Sequence, residues 1–137
     1  MPLTPTKIID KLWQKDEFSR WMGMERLEEG YGFCKLKMVV RAEMCNGMEI
    51  AHGGISYSFA DSAFAFASNS QGRVAVSIET SISHFKALKP GDIIYAHAKE
   101  ISLGRRTALY EVRVEREDGE LVAHFKGTVF RKDEEWQ

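Results

Sequence analysis

The chain has 137 residues and a formal net charge of -1, with 19 Lys and Arg against 20 Asp and Glu. This length suits one domain of ordinary size, and 44% hydrophobic with 28% charged residues is typical of a protein with a buried core. The balanced charge lacks the basic excess that general binding to nucleic acid requires, so we expect no nucleic-acid partner.

The N-terminus, the cysteines and the least charged segment bear on the compartment. Charged residues occur before any long apolar run at the N-terminus, so no secretory signal peptide is expected. Residues 50–72 carry one formal charge, but their five serines, Asn, Gln and His disfavour a membrane span. Cys34 and Cys45 are expected to be free thiols in a reducing compartment, which predicts a cytoplasmic protein.

The first 29 residues predict an N-terminal helical segment of one or two amphipathic helices. Its apolar residues recur at helical spacing between positions 6 and 24, and they are Ile8, Ile9, Leu12, Trp13, Phe18 and Trp21. After Gly30 and Gly32, apolar residues alternate at period two through residues 33–40, which predicts a strand.

Residues 55–68 (ISYSFADSAFAFAS) predict a buried helix of about four turns, because they are rich in Ala and Phe and contain no Gly or Pro. Four predicted strands follow, at 74–85, 92–102, 107–116 and 121–131. Their short turns suggest an antiparallel meander. The expected fold class is α+β, in which a sheet of about five strands wraps around the long helix within one domain, with its core at residues 30–132.

Asp61 is the single charged residue of the predicted buried helix, and its neighbours three and four positions away are uncharged. A buried carboxylate must raise its pKa, bind a partner or face a wet cleft. Each of these outcomes is typical of a functional site, so Asp61 is a candidate catalytic residue. The alternatives are a hydrogen bond to Ser62 or a solvent-facing position on an ordinary surface helix.

His52, Gly53 and Gly54 immediately precede this helix, where unpaired amides and the positive end of the helix dipole can stabilise an oxyanion. The Gly pair could also be only a tight turn. Asp61 lies about 11–12 Å further along the helix, so Asp61 and Gly53 of one chain cannot contact the same carbonyl group. A twofold partner with an antiparallel helix would supply the second group, which predicts a homodimer with shared sites.

Three segments carry a resemblance to a known family: residues 46–54 (NGMEIAHGG), 59–63 (FADSA) and 69–72 (NSQG). With the turns at 89–92 (KPGD) and 104–106 (GRR), the pattern over about residues 30–131 resembles the hot-dog acyl-CoA thioesterases, and within them the PaaI-like, phenylacetate-pathway branch. The resemblance implies a hot-dog fold whose dimers join their sheets and commonly form tetramers.

The resemblance also implies roles for individual residues. Asp61 is expected to act as nucleophile or general base, and the Gly53 N–H as oxyanion donor. His52 and Asn46 would orient the loop and the attacking water or thioester, and the Ser77 hydroxyl would help to hold the water. The candidates for binding the substrate and its CoA phosphates are Gly54, Asn69, Lys86, Arg105 and Arg106. Residues 84–88 (HFKAL) depart from the Arg-Pro pair of many relatives, which puts the CoA contacts and acyl preference in doubt.

The predicted function is therefore hydrolysis of an acyl-CoA with a short, medium or aromatic acyl group. No metal or cofactor is expected, and CoA is counted as part of the substrate. A thioester of acyl-carrier protein remains an alternative substrate. The alternative functions are a hot-dog hydratase or dehydratase and a non-catalytic acyl-CoA-binding protein. A Cys45–His52 nucleophile is disfavoured, and His84, His97 and His124 are interpreted as core or surface residues because they lack metal-ligand spacing.

Overall fold

A computed structural model describes residues 2–137, in which a long helix lies against one antiparallel sheet. Two helices open the chain, α1 (Pro5–Lys15) and α2 (Glu17–Trp21), followed by strands β1 (Glu25–Gly30) and β2 (Phe33–Val39). A 3-10 turn at Ala42–Met44 leads to the central helix α3 (Gly53–Asn69). The remaining strands are β3 (Arg73–His84), β4 (Ile93–Leu103), β5 (Thr107–Arg116) and β6 (Leu121–Glu135).

The six strands lie in the order β1-β2-β4-β5-β6-β3, and every neighbouring pair is antiparallel. The predicted meander of four strands is correct for β4, β5 and β6 but wrong for β3, which pairs with β6 at one edge of the sheet. The connection at residues 85–92 is long enough to cross two strands, because eight extended residues span about 26 Å. Buried Leu88 anchors this connection to the core.

Strand β1 was not predicted, since residues 25–30 fell within the expected N-terminal helical segment. Its sequence, ERLEEG, contains charged residues that rarely favour strands, so local preference gives no signal. Pairing with β2 determines its conformation, from Glu25 opposite Lys37 to Gly30 opposite Phe33. Charged residues are common on edge strands because they discourage pairing with further chains. The sheet thus has six strands instead of about five.

Helix α3 is confirmed as the buried centre of the fold. Its inner face contributes Phe59, Phe64 and Phe66, each at most 2% exposed, to the same core as Tyr110 of β5 and Phe125 of β6. Helices α1 and α2 lie beside α3, where the Trp13 and Phe66 rings are 6.0 Å apart. Within residues 2–137, no helix is long and apolar enough to cross a membrane.

Gly127 of β6 allows the sheet to approach α3 closely. A Cβ atom at this position would lie 2.7 to 2.9 Å from three carbon atoms of the Phe64 ring, well inside normal contact distance. The absence of a side chain at Gly127 therefore sets the spacing between the sheet and the helix that carries Asp61.

We expect Gly127→Ala to lower the free energy of unfolding by about 1–3 kcal/mol, because the new methyl group overpacks the core against Phe64. Urea denaturation measures the change. Gly47→Ala is the matched control, since nothing lies within 4 Å of a Cβ at that position. Adding Phe64→Leu should recover part of the loss, and an unchanged unfolding free energy in Gly127→Ala would contradict this packing.

Candidate active site

Asp61 lies in the third turn of α3, on the face that does not pack against the sheet. Its neighbours on this face are uncharged and partly exposed, and they are Ser58, Ser62 and Ala65. Tyr57, one turn earlier, instead reaches the sheet, where its hydroxyl bonds to Thr80 of β3 and its ring contacts Phe125 of β6. The carboxylate is half-buried and makes no hydrogen bond or ion pair to any residue in 2–137. Burial raises the pKa of Asp61 above its ordinary value.

The alternative role of Asp61 as a partner of Ser62 is not observed. The Ser62 hydroxyl lies 2.7 Å from the Ser19 hydroxyl of α2, which in turn donates to Asp16 at 2.7 Å. Ser62 thus belongs to the contact between α2 and α3. Asp61 has the features expected of a catalytic carboxylate, because it is partly desolvated and has no hydrogen-bond or ion-pair partner.

The N-terminus of α3 presents two free amides. Gly53 and Gly54 are the first helical residues, and neither amide N–H has an acceptor among the described residues. His52 occupies the N-cap position in an extended conformation (φ -55°, ψ 143°), and its side chain makes no capping hydrogen bond. Both N–H groups therefore remain available to an oxygen atom at the positive end of a 17-residue helix.

Asn46 shapes the loop that leads into α3. Its Oδ1 accepts hydrogen bonds from the amides of Met48 (2.8 Å) and Ile50 (3.4 Å), so the side chain closes a turn within the loop. The loop is also held by the amide of Ala51, which donates to the Leu88 carbonyl at 2.8 Å. The predicted orienting role of Asn46 thus has a local structural basis.

A cleft of about 360 Å³ opens beside the N-terminus of α3. Three of the predicted site residues line it, namely Asn46, Gly53 and Lys86. Ser56 and His84 also line it, although neither was selected from the sequence as a site residue. The cleft therefore joins the loop at residues 45–52, the first turn of α3 and the end of β3.

His84 and Ser56 differ in how far the sequence could have identified them. Ser56 lies three residues after Gly53, so helical spacing alone places both on one face of α3. Nothing local distinguishes His84, which enters the site only because β3 ends beside α3. A Cβ atom on Gly53 would lie 3.4 Å from His84 Nε2, so the imidazole lies close to the N-terminus of the helix.

Several predicted residues lie outside this cleft. Asp61 is eight residues after Gly53 on the same helix, which is about 12 Å, and it does not line the cleft. His52 and Gly54 are exposed next to Gly53. Ser77 is exposed on β3, beside an irregularity in its pairing with β6. Within one chain, the Gly53 amide and the Asp61 carboxylate are therefore too far apart to contact the same small group.

Asn69 has a structural role, which corrects its prediction as a substrate-binding residue. Its Oδ1 accepts from the amide of Ala75 at 2.9 Å and from the indole of Trp136 at 3.0 Å, and its Nδ2 donates to the Ala65 carbonyl at 2.9 Å. The residue is 5% exposed. Nδ2 also donates to the Ala75 carbonyl at 3.3 Å. With these bonds made, the Asn69 amide joins the end of α3 to β3 and to the C-terminal segment and has no polar atom free for a substrate.

Arg105 and Arg106 lie in the turn between β4 and β5, at the opposite end of β3 from the cleft. The Arg105 carbonyl accepts from the Arg73 guanidinium at 2.8 Å, and Arg106 lies 3.7 Å from Asp133. Both side chains are exposed. His84 is eleven residues beyond Arg73, about 36 Å along an extended strand, so these arginines do not reach the cleft of their own chain.

Comparison with known proteins gives consistent matches. Residues 48–123 match the family model described as the thioesterase superfamily. The chain is 32% identical over 120 residues to the acyl-coenzyme A thioesterase PaaI of Escherichia coli (strain K12), covering 88% of this chain and 86% of the relative. The solved structure of the E. coli PaaI protein from the phenylacetic acid degradation operon has a TM-score of 0.93 at 30% identity, over 96% of this chain and 95% of that one.

Two further solved structures extend the match. A variant of the phenylacetic acid degradation protein PaaI from Thermus thermophilus is 43% identical, with a TM-score of 0.82 over 85% of this chain and all of the other. The smu.793 protein of Streptococcus mutans UA159, solved with acetyl CoA bound, is 25% identical, with a TM-score of 0.79 over 82% and 91% of the two chains. These matches confirm the hot-dog fold that the sequence resemblance implied.

The raised pKa of Asp61 predicts a pH-dependent stability effect. At neutral pH the ionised carboxylate destabilises the folded state, so Asp61→Asn should raise the melting temperature. The gain should shrink as pH falls through the raised pKa of Asp61, and it should vanish below the ordinary aspartate pKa of about 3.9. Thermal unfolding followed from neutral to acid pH measures this.

Asp133→Asn is the control for this measurement, because Asp133 is exposed at the end of β6 and its removal should not raise the melting temperature. A neutral-pH melting temperature in Asp61→Asn that equals or falls below that of the wild type would show that burial does not penalise the Asp61 carboxylate.

Proposed function

The chain belongs to the thioesterase superfamily, and from this premise we propose that it hydrolyses acyl-CoA thioesters to a carboxylic acid and free CoA. One observation carries the proposal: the helix whose free N-terminal amides open into a cleft also holds Asp61, a half-buried carboxylate without a partner in residues 2–137. The acyl-coenzyme A thioesterase of E. coli and the acetyl CoA bound to the Streptococcus mutans protein support this substrate class. The link of two PaaI relatives to phenylacetic acid degradation favours an aromatic or short acyl group.

The proposed chemistry uses the Gly53 amide and the Asp61 carboxylate. The Gly53 N–H binds the thioester carbonyl oxygen and stabilises the negative charge that develops on it, a contribution of about 10²–10³ in rate. Asp61 takes a proton from water while the water oxygen bonds to the carbonyl carbon. The C–S bond then breaks, its electron pair leaves with sulfur, and the thiolate takes up the proton. No metal or cofactor is needed in this sequence of steps.

Asp61 can instead act as the nucleophile. Its oxygen would then bond to the carbonyl carbon and release the thiolate, and water would open the resulting anhydride. Both routes consume one water and give the same acid and thiol. A single turnover in ¹⁸O-water tests the anhydride, because direct attack labels only the product, whereas water that opens the anhydride at the Asp61 carboxyl carbon labels Asp61. Label in Asp61 would therefore establish the anhydride route.

Two chains are required for either route. Asp61 and Gly53 of one chain are about 12 Å apart along α3, whereas both must lie about 3 Å from the reacting group. The unpaired edge of β3 supports a twofold dimer, because a 12-residue edge strand with exposed Val76 and Ile78 is a template for pairing with a second copy. We propose that each site takes Gly53 from one chain and Asp61 from the other, as predicted from the sequence.

The same pairing gives the arginines a role in binding CoA. If two β3 strands pair antiparallel about their midpoints, Arg73 of one chain lies opposite His84 of the other. Arg105 and Arg106, which lie beside Arg73, would then approach the cleft of the second copy and meet the CoA phosphates together with Lys86. Pairing of two such dimers into a tetramer stays a prediction.

We expect thiol release from a panel of acyl-CoAs, including phenylacetyl-CoA, detected with an aromatic disulfide reagent. Asp61→Asn should lower kcat by about 10²–10⁴-fold, because it removes the charge with little change in shape. Wild-type turnover without thiol release, seen as hydration of an enoyl-CoA, would instead support a hydratase. Tight binding without any turnover would support an acyl-CoA-binding protein.

Mixed dimers test whether the site is shared. Gly53→Pro removes the N–H at the first helical position, which tolerates proline, and the ψ of 143° at His52 suits a residue before proline. Gly53→Ala keeps the N–H and is the matched control. Asp61→Asn and Gly53→Pro chains should each be nearly inactive alone, yet random mixing should restore about one quarter of wild-type activity, since one site in four then receives both intact groups.

Activity that stays absent in the mixture, despite mixed dimers seen by native mass spectrometry, would mean that each site uses Asp61 and Gly53 of the same chain. The shared site would also be contradicted by full activity at a protein concentration at which analytical ultracentrifugation detects only monomers.

A further inference from the structure

We propose that His84 supplies a second hydrogen-bond donor to the thioester carbonyl oxygen, beside the Gly53 amide. The inference rests on the proposed thioesterase function and adds a catalytic residue to it. The sequence alone suggested an ordinary core or surface histidine at this position. The residue is exposed, and its imidazole lines the cleft at the N-terminus of α3.

The distance between His84 and Gly53 suits a shared oxygen atom. A Cβ atom on Gly53 would lie 3.4 Å from His84 Nε2 and 3.7 Å from Cε1. Because such a Cβ lies about 2.5 Å from its own amide nitrogen, the Nε2 atom is within about 6 Å of the Gly53 nitrogen. An oxygen placed about 2.9 Å from each nitrogen fits this separation. With a proton on Nε2, the imidazole and the amide can therefore bind one oxyanion together.

The His84 ring is also free to take this role. His97 and His124 lie near carboxylates, with Nε2 3.8 Å from Glu115 and 2.9 Å from Glu111 respectively. The His84 ring has no comparable partner in the part of the chain that the structure describes. Its backbone is fixed by pairing with Ala123 of β6, so the strand holds the ring at the cleft without using its nitrogens.

The cleft contains a further polar group, the Ser56 hydroxyl. Ser56 is 4% exposed and lines the cleft, yet its hydroxyl makes no hydrogen bond to any described residue. The hydroxyl oxygen is not one of the fully buried atoms without a partner, so it is accessible from the cleft and can contact a ligand or a water there. Gly53, Ser56 and His84 thus form a polar wall in a cleft that also contains apolar Leu88 and Ile50.

Two donors to one developing charge are a common requirement in acyl transfer. Removal of one such donor typically lowers kcat by about 10²–10³-fold, because the donor acts mainly in the transition state. If His84 instead contacted only the remote CoA moiety, its loss would raise KM and leave kcat unchanged. The two roles therefore predict different kinetics.

The test compares His84→Ala with His84→Gln in the thiol-release assay. We expect His84→Ala to lower kcat by about 10²-fold with little change in KM. His84→Gln should recover at least about tenfold of that loss, because the glutamine amide carries an N–H donor to about the same position as Nε2. His97→Gln is the matched control, since His97 lies on the outer face of β4 and its replacement should leave kcat unchanged.

The inference is overturned if His84→Ala retains kcat within about twofold of the wild type, if only KM changes, or if Ala and Gln are equally defective. Melting temperatures of the variants separate loss of function from loss of fold. Failure of the proposed function itself has a different signature, because the wild type would then release no thiol from any acyl-CoA. A wild type that is active and is inactivated by Asp61→Asn, with an active His84→Ala, would reject the role of His84 alone.

Discussion

An unpaired, half-buried carboxylate on an otherwise uncharged helix is the constraint around which this protein is organised. The sheet covers the inner face of α3 with aromatic and aliphatic side chains, and the phenylalanines of α3 complete that core. The outer face keeps Asp61 partly desolvated, which opposes its ionisation. The packing of the core therefore supplies the free energy that holds a reactive group in an unfavourable environment.

The two groups of the proposed chemistry, the Gly53 amide and the Asp61 carboxylate, lie far apart because both are on the same helix. Eight residues of α helix place Asp61 about 12 Å from Gly53, and no side-chain rotation removes that distance. Edge strand β3 is long and unpaired on one side, so the chain also has a surface suited to the second copy that the proposed site requires. In this scheme assembly and catalysis depend on the same elements.

The sequence predicted the elements whose residues have a regular pattern. It did not predict elements whose conformation or position depends on pairing with residues far away in the chain. The apolar run at 55–68 was sufficient for α3, and alternation was sufficient for β2. The charged segment that forms β1 has no pattern of its own and becomes a strand only against Lys37 and Phe33 of β2. The position of β3 beside β6 likewise depends on the connection at residues 85–92.

The same distinction applies to the site. Asp61 and Gly53 could be selected because an isolated charge and a Gly pair are visible in the sequence. His84 could not, since its proximity to Gly53 arises from two elements that meet only in the folded chain. Asn69 was a candidate because it belongs to the 69–72 segment that carries the family resemblance, yet the fold uses each of its polar atoms, one of them to bind Trp136 near the far end of the sequence.

In the connection between β3 and β4, one residue anchors the segment to the core while others are placed to contact the substrate. Leu88 is 2% exposed and holds the segment in the core, whereas the residues before it are exposed along the cleft wall. Substitutions at positions 85–87 are therefore expected to cost little folding free energy while they alter the surface that a ligand meets. Relatives with the same scaffold can diversify their acyl preference through this short segment, so substrate range is expected to evolve faster here than the fold that supports it.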